Sequence, residues 1–241
     1  MILRINRYVI HNLKDLIKSG YLFAGLIAAC VPAIVMTSFI LNGNKPFTIK
    51  HVSNFYCMLG MLAAVLMPLS FINRDYSAKT ISLINNLVQN RRNYVLANGF
   101  IALSIGLLYT MTGIVLLLMT KLLGVPGDLK ISFLAGFSVN ILLLVMAYFL
   151  FGYLLFLYGL RSGAVYGILT ATMLFFPNAL ANAKGLIENK FLSELIENFP
   201  GYFFPIMVGS NPLSPLQYTI GLLTFIVLFA VVLRKSGRIE G

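Results

Sequence analysis

The sequence predicts an all-α integral membrane protein, and three observations predict it. The chain of 241 residues is 59% hydrophobic and only 10% charged. Its mean hydropathy is +0.89. A globule of this size needs far more polar surface than that composition supplies. The apolar residues also come in long continuous runs, which excludes the alternating pattern of a transmembrane β-barrel. Finally, the basic residues favour alternate connections between the runs by two to one.

Six runs are long enough to span, since a bilayer-crossing helix needs about 20 apolar residues. They cover roughly 21–41, 55–72, 97–119, 131–159, 163–182 and 214–233. With the N-terminus placed inside, twelve of the eighteen Lys and Arg residues lie inside. Six lie outside: Lys45, Lys50, Lys121, Lys130, Lys184 and Lys190. The expectation is a multi-pass protein of the cell membrane, bacterial in style, with both termini cytoplasmic. The net charge of +11 is thus read as topology, and no nucleic-acid partner is inferred from it.

Before the first run, residues 1–18 read as an amphipathic helix lying in the membrane interface. Arg4, Arg7, His11, Lys14 and Lys18 step by three and four, forming one basic stripe. Ile2, Val9, Leu13 and Leu16 occupy another face, with Ile10 and Ile17 beside it. The first run contains Ile27-Ala28-Ala29-Cys30, which resembles a lipoprotein cleavage box. The apolar run continues past Cys30 to Met36, however, so the segment is read as a span. Cys30 and Cys57 are read as small apolar side chains.

Between the second and third runs stands FINRDYSAKTISLINNLVQNRRNY, residues 71–94. Thr80 or Ser82 can cap a short helix running to about Val88. Ile81, Ile84 and Val88 then share one side, with Leu87 adjacent, and Arg91 and Arg92 follow. Apolar knobs on a surface helix must dock on lipid, on the protein's own loops or on a partner. Asp75 and Arg91, if they are exposed rim charges, would contribute about 0–1 kcal/mol there.

The connection at 159–163 carries Gly159 and Gly163, and with Gly167 the three are spaced by four. This spacing is read as close packing within the molecule. Residues 183–213 form the last outside segment. Ile187, Phe191, Leu192, Leu195, Ile196 and Phe199 lie at helical spacing opposite acids, and FPGYFFP is expected to break the helix twice. Phe191, Glu194, Glu197 and Phe199 are the candidate gate residues of a segment that dips into the outer leaflet.

No run carries a central charge of the kind that ion relays use. No P-loop spacing, metal-ligand cluster or nucleophile triad is present in the sequence. The chain reads as a non-enzyme without cofactor or metal.

The stretch at 71–94 resembles the corresponding segment of ABC-2-type permeases, the membrane subunits of many bacterial ABC exporters. Asp75 stands at the acidic position, Lys79-Thr80 at a Gly-Thr position, ISLINNLV at the short helix and QNRRNYVLAN at the return. Lys79 departs from the usual Gly, and Asn98 from a common Lys. The likeness extends to the whole layout: interfacial helix, six spans and a broken outside segment. It implies a permease that pairs with a second copy or homologue and docks a separate cytoplasmic ATPase, which holds ATP and magnesium. Residues 73–94 would be the coupling segment, with Asp75, Tyr76, Lys79, Thr80, Ile81, Ile84, Leu87, Val88, Arg91 and Arg92 as ATPase-coupling residues. The cargo implied is hydrophobic or amphipathic, in the manner of permeases for bacteriocins, antimicrobial peptides or phenol-soluble modulins. The competing reading is a standalone immunity or peptide-binding membrane protein with no ATPase.

Overall fold

The computed structural model describes residues 2–43, 46–81 and 87–237. Lys45, Ser82, Ile84 and Arg238 lie outside the described residues. All regular structure among the described residues is helical. The elements are α1 (Ile5–Lys18), α2 (Tyr21–Asn42), α3 (Ile49–Ser77), α4 (Val88–Leu122), α5 (Ile131–Leu157), α6 (Ser162–Thr170), a π-helical turn (Ala171–Phe175), α7 (Phe176–Leu186), α8 (Lys190–Glu197), α9 (Pro200–Met207) and α10 (Pro215–Gly237). Helices α2, α3, α4, α5, α10 and the continuous α6–π–α7 rod are long and apolar enough to cross a membrane, giving the six expected spans.

The helices outrun the apolar runs at their polar ends. α3 starts at Ile49 rather than near 55, because Thr48 and His51 form a reciprocal cap. The Thr48 amide donates to His51 Nδ1 over 3.1 Å. His51 therefore has a structural role. The fifth-span rod continues to Leu186, so residues 183–186 belong to it and not to the outside segment.

Small residues set the packing of the first three spans. Gly20, at φ +76°, takes the left-handed turn between α1 and α2 that L side chains avoid. Within the bundle a Cβ on Gly60 would stand 2.9 Å from that of Ala29, so α2 and α3 approach through glycine and alanine. Pro32 and Pro68 sit inside α2 and α3, as neighbouring helices permit. Many hydroxyls on the spans donate to a carbonyl four residues back, such as Thr37 to Ala33 O at 2.8 Å.

Ordering of the bundle is fixed by contacts at its two ends. At one end Tyr76 of α3 stacks on Phe156 of α5, and Lys235 of α10 lies over the Tyr158 ring. At the other, the Ile49 amide donates to Pro126 O, and Asn140 Nδ2 to Asn211 O at 3.1 Å. Gly163 and Gly167 depart from the expected packing. A Cβ on either would meet nothing within 4 Å, so no described part of the chain packs on that face.

Candidate functional site

The polar residues concentrate where α1, the end of α3 and the start of α4 meet. Asp75 is on the last turn of α3, and only 6% of it is exposed. Tyr8 of α1 donates its hydroxyl to Asp75 Oδ2 at 2.5 Å. Tyr94 of α4 donates to the same oxygen at 3.0 Å. The two tyrosine rings meet edge to face, 5.5 Å apart. Arg74 approaches Asp75 Oδ1 at 3.4 Å and donates to Asn12 Oδ1 at 2.6 Å. It also reaches Asp15, which His11 approaches from one turn away.

Asp75 is thus no exposed rim charge. Its position on α3 turns it toward α1 and α4, and hydroxyls rather than water satisfy it. The Tyr8 hydroxyl is held protonated far above its ordinary range, first by burial and then by its hydrogen bond to Asp75. It remains a neutral donor at every physiological pH.

A second set of bonds fixes the start of the chain. The Leu3 amide donates to Asn90 Oδ1 at 2.8 Å, and Leu3 O accepts from Asn93 Nδ2 at 3.0 Å. Both backbone groups of Leu3, which lies just before the helix, are satisfied by two asparagines one turn apart on α4. Asn98, where the resemblance has a Lys, is fully buried and donates to Tyr94 O at 2.9 Å. Sequence reading missed Tyr8, Asn12, Asn90, Asn93 and Tyr94. The legible signal was polar Tyr8 and Asn12, spaced by four on the side of α1 away from its basic stripe.

α1 shows three sides. Arg4, Arg7, His11, Lys14 and Lys18 are all exposed. Tyr8, Val9, Asn12, Leu13 and Leu16 pack on the bundle. Ile10 and Ile17 form a third, apolar side and are 53% and 50% exposed. The single apolar face expected from the sequence is therefore split, one part meeting protein and the other uncovered.

The short helix expected between α3 and α4 falls largely on residues 82–86, outside the described residues, but its far end differs from the expectation. Leu87 is extended, at φ −132° and ψ 140°, and α4 begins at Val88. Val88, Arg91 and Arg92 consequently belong to the third span's helix and cannot share a short helix with Ile81. Ile81 is half-buried and packs against the core, whereas Leu87 and Val88 are exposed. Thr80 donates its hydroxyl back to Asp75 O at 3.1 Å, closing the end of α3. Lys79, at the Gly position of the resemblance, takes φ +56°.

At the opposite end, the segment after α7 folds as two short helices. In α8, Asn189 caps the first turn through bonds to the Phe191 and Leu192 amides. Phe191 is 71% exposed, and no residue of α8 is buried. Pro200 opens α9 and Pro205 lies within it, so the chain breaks once at Phe199, and not at Pro205. Glu197 pairs with Lys184 at 2.9 Å, and Gln217 donates to Glu197 O at 3.1 Å. Glu194 is exposed.

Two cavities flank α9. One, of about 490 Å³, lies between α3, α5, the fifth-span rod and α9. Met58, Met61, Met173, Phe55 and Phe175 line it, with Asn54 and Asn178 among them. The other, of about 400 Å³, lies between α5, the rod, α9 and α10. No group of three or more His, Cys, Asp or Glu side chains able to hold a metal occurs among the described residues.

No protein-family model matches the chain, and no curated protein matches it.

Proposed function

We propose that this chain is the permease subunit of an ATP-driven exporter, resembling the ABC-2 type. In this reading α1 lies in the cytoplasmic interface, with its basic stripe toward headgroups and Ile10 and Ile17 toward acyl chains. Both termini are cytoplasmic. Residues 73–94 carry the contact with a separate ATPase, and a second permease copy or homologue completes the transporter. The cavity between α3 and the rod, walled by methionine and phenylalanine, forms part of the route for hydrophobic or amphipathic cargo such as a membrane-active peptide. α9 covers its outer end.

The observation that supports this reading most is the mounting of the α3–α4 connection. Both of its roots are tied through Asp75 to Tyr94 and to α1. Roots held this way move with the helices they belong to, so a push on them is passed into the spans. Closure of two ATPases would bias the permease pair between two packings through that mount. Binding energy would enter at exposed apolar side chains, of which Leu87 and Val88 are two.

The test is purification of the tagged chain from its own cells under mild detergent. The reading expects a co-purifying P-loop protein, identified by mass spectrometry, and magnesium-dependent ATP hydrolysis in that complex. The chain expressed alone should hydrolyse no ATP. Recovery without any nucleotide-binding partner, with cargo bound, would support the standalone peptide-binding reading instead.

A further inference from the structure

The cavity between α5, the fifth-span rod, α9 and α10 has a polar group that the rest of the fold leaves unused. Tyr148, on α5, lines it and is only 7% exposed. No described group accepts its hydroxyl proton. The two other hydroxyls in the wall are already committed. Thr172 donates to Ile168 O at 2.9 Å, and Thr224 to Ile220 O at 2.8 Å. The remaining wall is aromatic or aliphatic: Phe151, Phe176, Phe199, Phe204 and Leu228 are the bulk of it. Phe176 and Phe199 meet edge to face, 6.2 Å apart.

Tyr148 as a residue is buried, but its hydroxyl keeps access to open space and has no acceptor among the described residues. It can therefore donate to a molecule in the cavity, and in a membrane interior bulk water does not compete for it. The residues around it come from well inside three spans. We infer that this cavity is a binding site for an uncharged lipophilic molecule with an aromatic ring and one hydrogen-bond acceptor, such as a ring carbonyl. Tyr148 donates to the acceptor. The phenylalanine rings take the aromatic body in offset or edge contacts. Its volume, about 400 Å³, falls within the range of small-molecule pockets. No charged side chain lines it, so charged ligands are excluded. The inference is independent of the transport reading, since it rests on Tyr148 and its walls alone.

Benzophenone is the probe. It is an apolar biaryl with one carbonyl acceptor, and on illumination it inserts into nearby C–H bonds. The full chain is reconstituted in phosphatidylcholine vesicles, illuminated with benzophenone and mapped by peptide mass spectrometry. Labels are expected in 147–151, 172–176, 199–204 and 224–228. Fluorenone, which keeps a carbonyl, should compete better than fluorene, which lacks one. Tyr148→Phe removes the donor and keeps the ring. It should cut site labelling about two- to tenfold, the range a single net hydrogen bond supplies. It should also abolish the difference between the competitors relative to wild type, which cancels their unequal partitioning into lipid. Labels scattered over outward side chains outside these segments, such as Val35 and Met111, would overturn the inference. So would the same fluorenone preference in Tyr148→Phe as in wild type, the result expected if a trapped water alone meets the hydroxyl.

Discussion

Tyr8 and Asp75, 67 positions apart, share a hydrogen bond of 2.5 Å. Through it the first helix of the chain is joined to the root of the second span. Tyr94 completes the junction from the third span on the same oxygen. A three-way joint around one buried carboxyl behaves differently from three separate surface contacts, because loss of the centre strands two donors at once.

Asp75→Ala is therefore expected to destabilise by about 1–3 kcal/mol for each stranded donor that cannot find water. Tyr8→Phe, which removes one donor, should cost about 0.5–1.5 kcal/mol. The two changes should couple by about 0.5–3 kcal/mol in a double-mutant cycle followed by thermal unfolding in detergent. α1 should also become more open to trypsin at Lys14 and Lys18. Simple additivity would mean that the bond holds nothing.

Lys79 occupies the left-handed region at φ +56°. Glycine has no Cβ to clash there. Lys79→Gly should raise stability by up to about 1–2 kcal/mol, the usual cost of that conformation. Lys79→Ala keeps the Cβ and should give no such gain. A thermal midpoint that moves equally for both would remove backbone strain as the cause.

The orientation of the bundle can be read by labelling. With Cys30 and Cys57 replaced, single cysteines at Ser77 and Ser193 should react with an impermeant thiol reagent from opposite sides of intact cells. Ser193 should label directly, and Ser77 only after permeabilisation. Direct labelling of both would contradict the proposed topology.

Glu197 and Lys184 form a pair exposed enough to contribute only about 0–1 kcal/mol. Replacing Glu194 and Glu197 together by Gln should thus leave stability nearly unchanged. If α8 meets cationic amphipathic cargo, cargo preference should shift in reconstituted transport while ATPase assembly stays intact. Unchanged transport for every cargo would leave α8 without a gating role.

The six spans were legible because continuous apolar runs of this length have one physical solution in a bilayer. Their ends were less so. Thr48 with His51 extends α3 beyond the apolar run, and hydropathy does not register a cap. The basic stripe of α1 was read correctly as a stripe, while the division of its apolar residues between bundle and exterior depends on what packs beside it. Val88 was placed on the wrong helix because periodicity runs across an extended Leu87 as readily as through a helix. The Asp75 joint was out of reach for another reason. Its partners lie 67 and 19 positions away, and tyrosines in an apolar sequence look like core. Gly163 and Gly167 show the reverse limit: small residues at spacing four permit contact without saying which surface makes it.

The central claim, that residues 73–94 carry the contact with an ATPase, is tested most directly at Ile84 and Leu87. A carboxylate placed in an apolar docking cleft is buried without a partner, which is strongly unfavourable. Ile84→Asp and Leu87→Asp permeases are purified beside wild type, and the bound P-loop protein is quantified together with cargo transport. The account predicts normal insertion and unfolding midpoints for both variants, with bound ATPase lost or retained without coupled transport in at least one. Equal ATPase recovery and equal transport in wild type and both variants would contradict it.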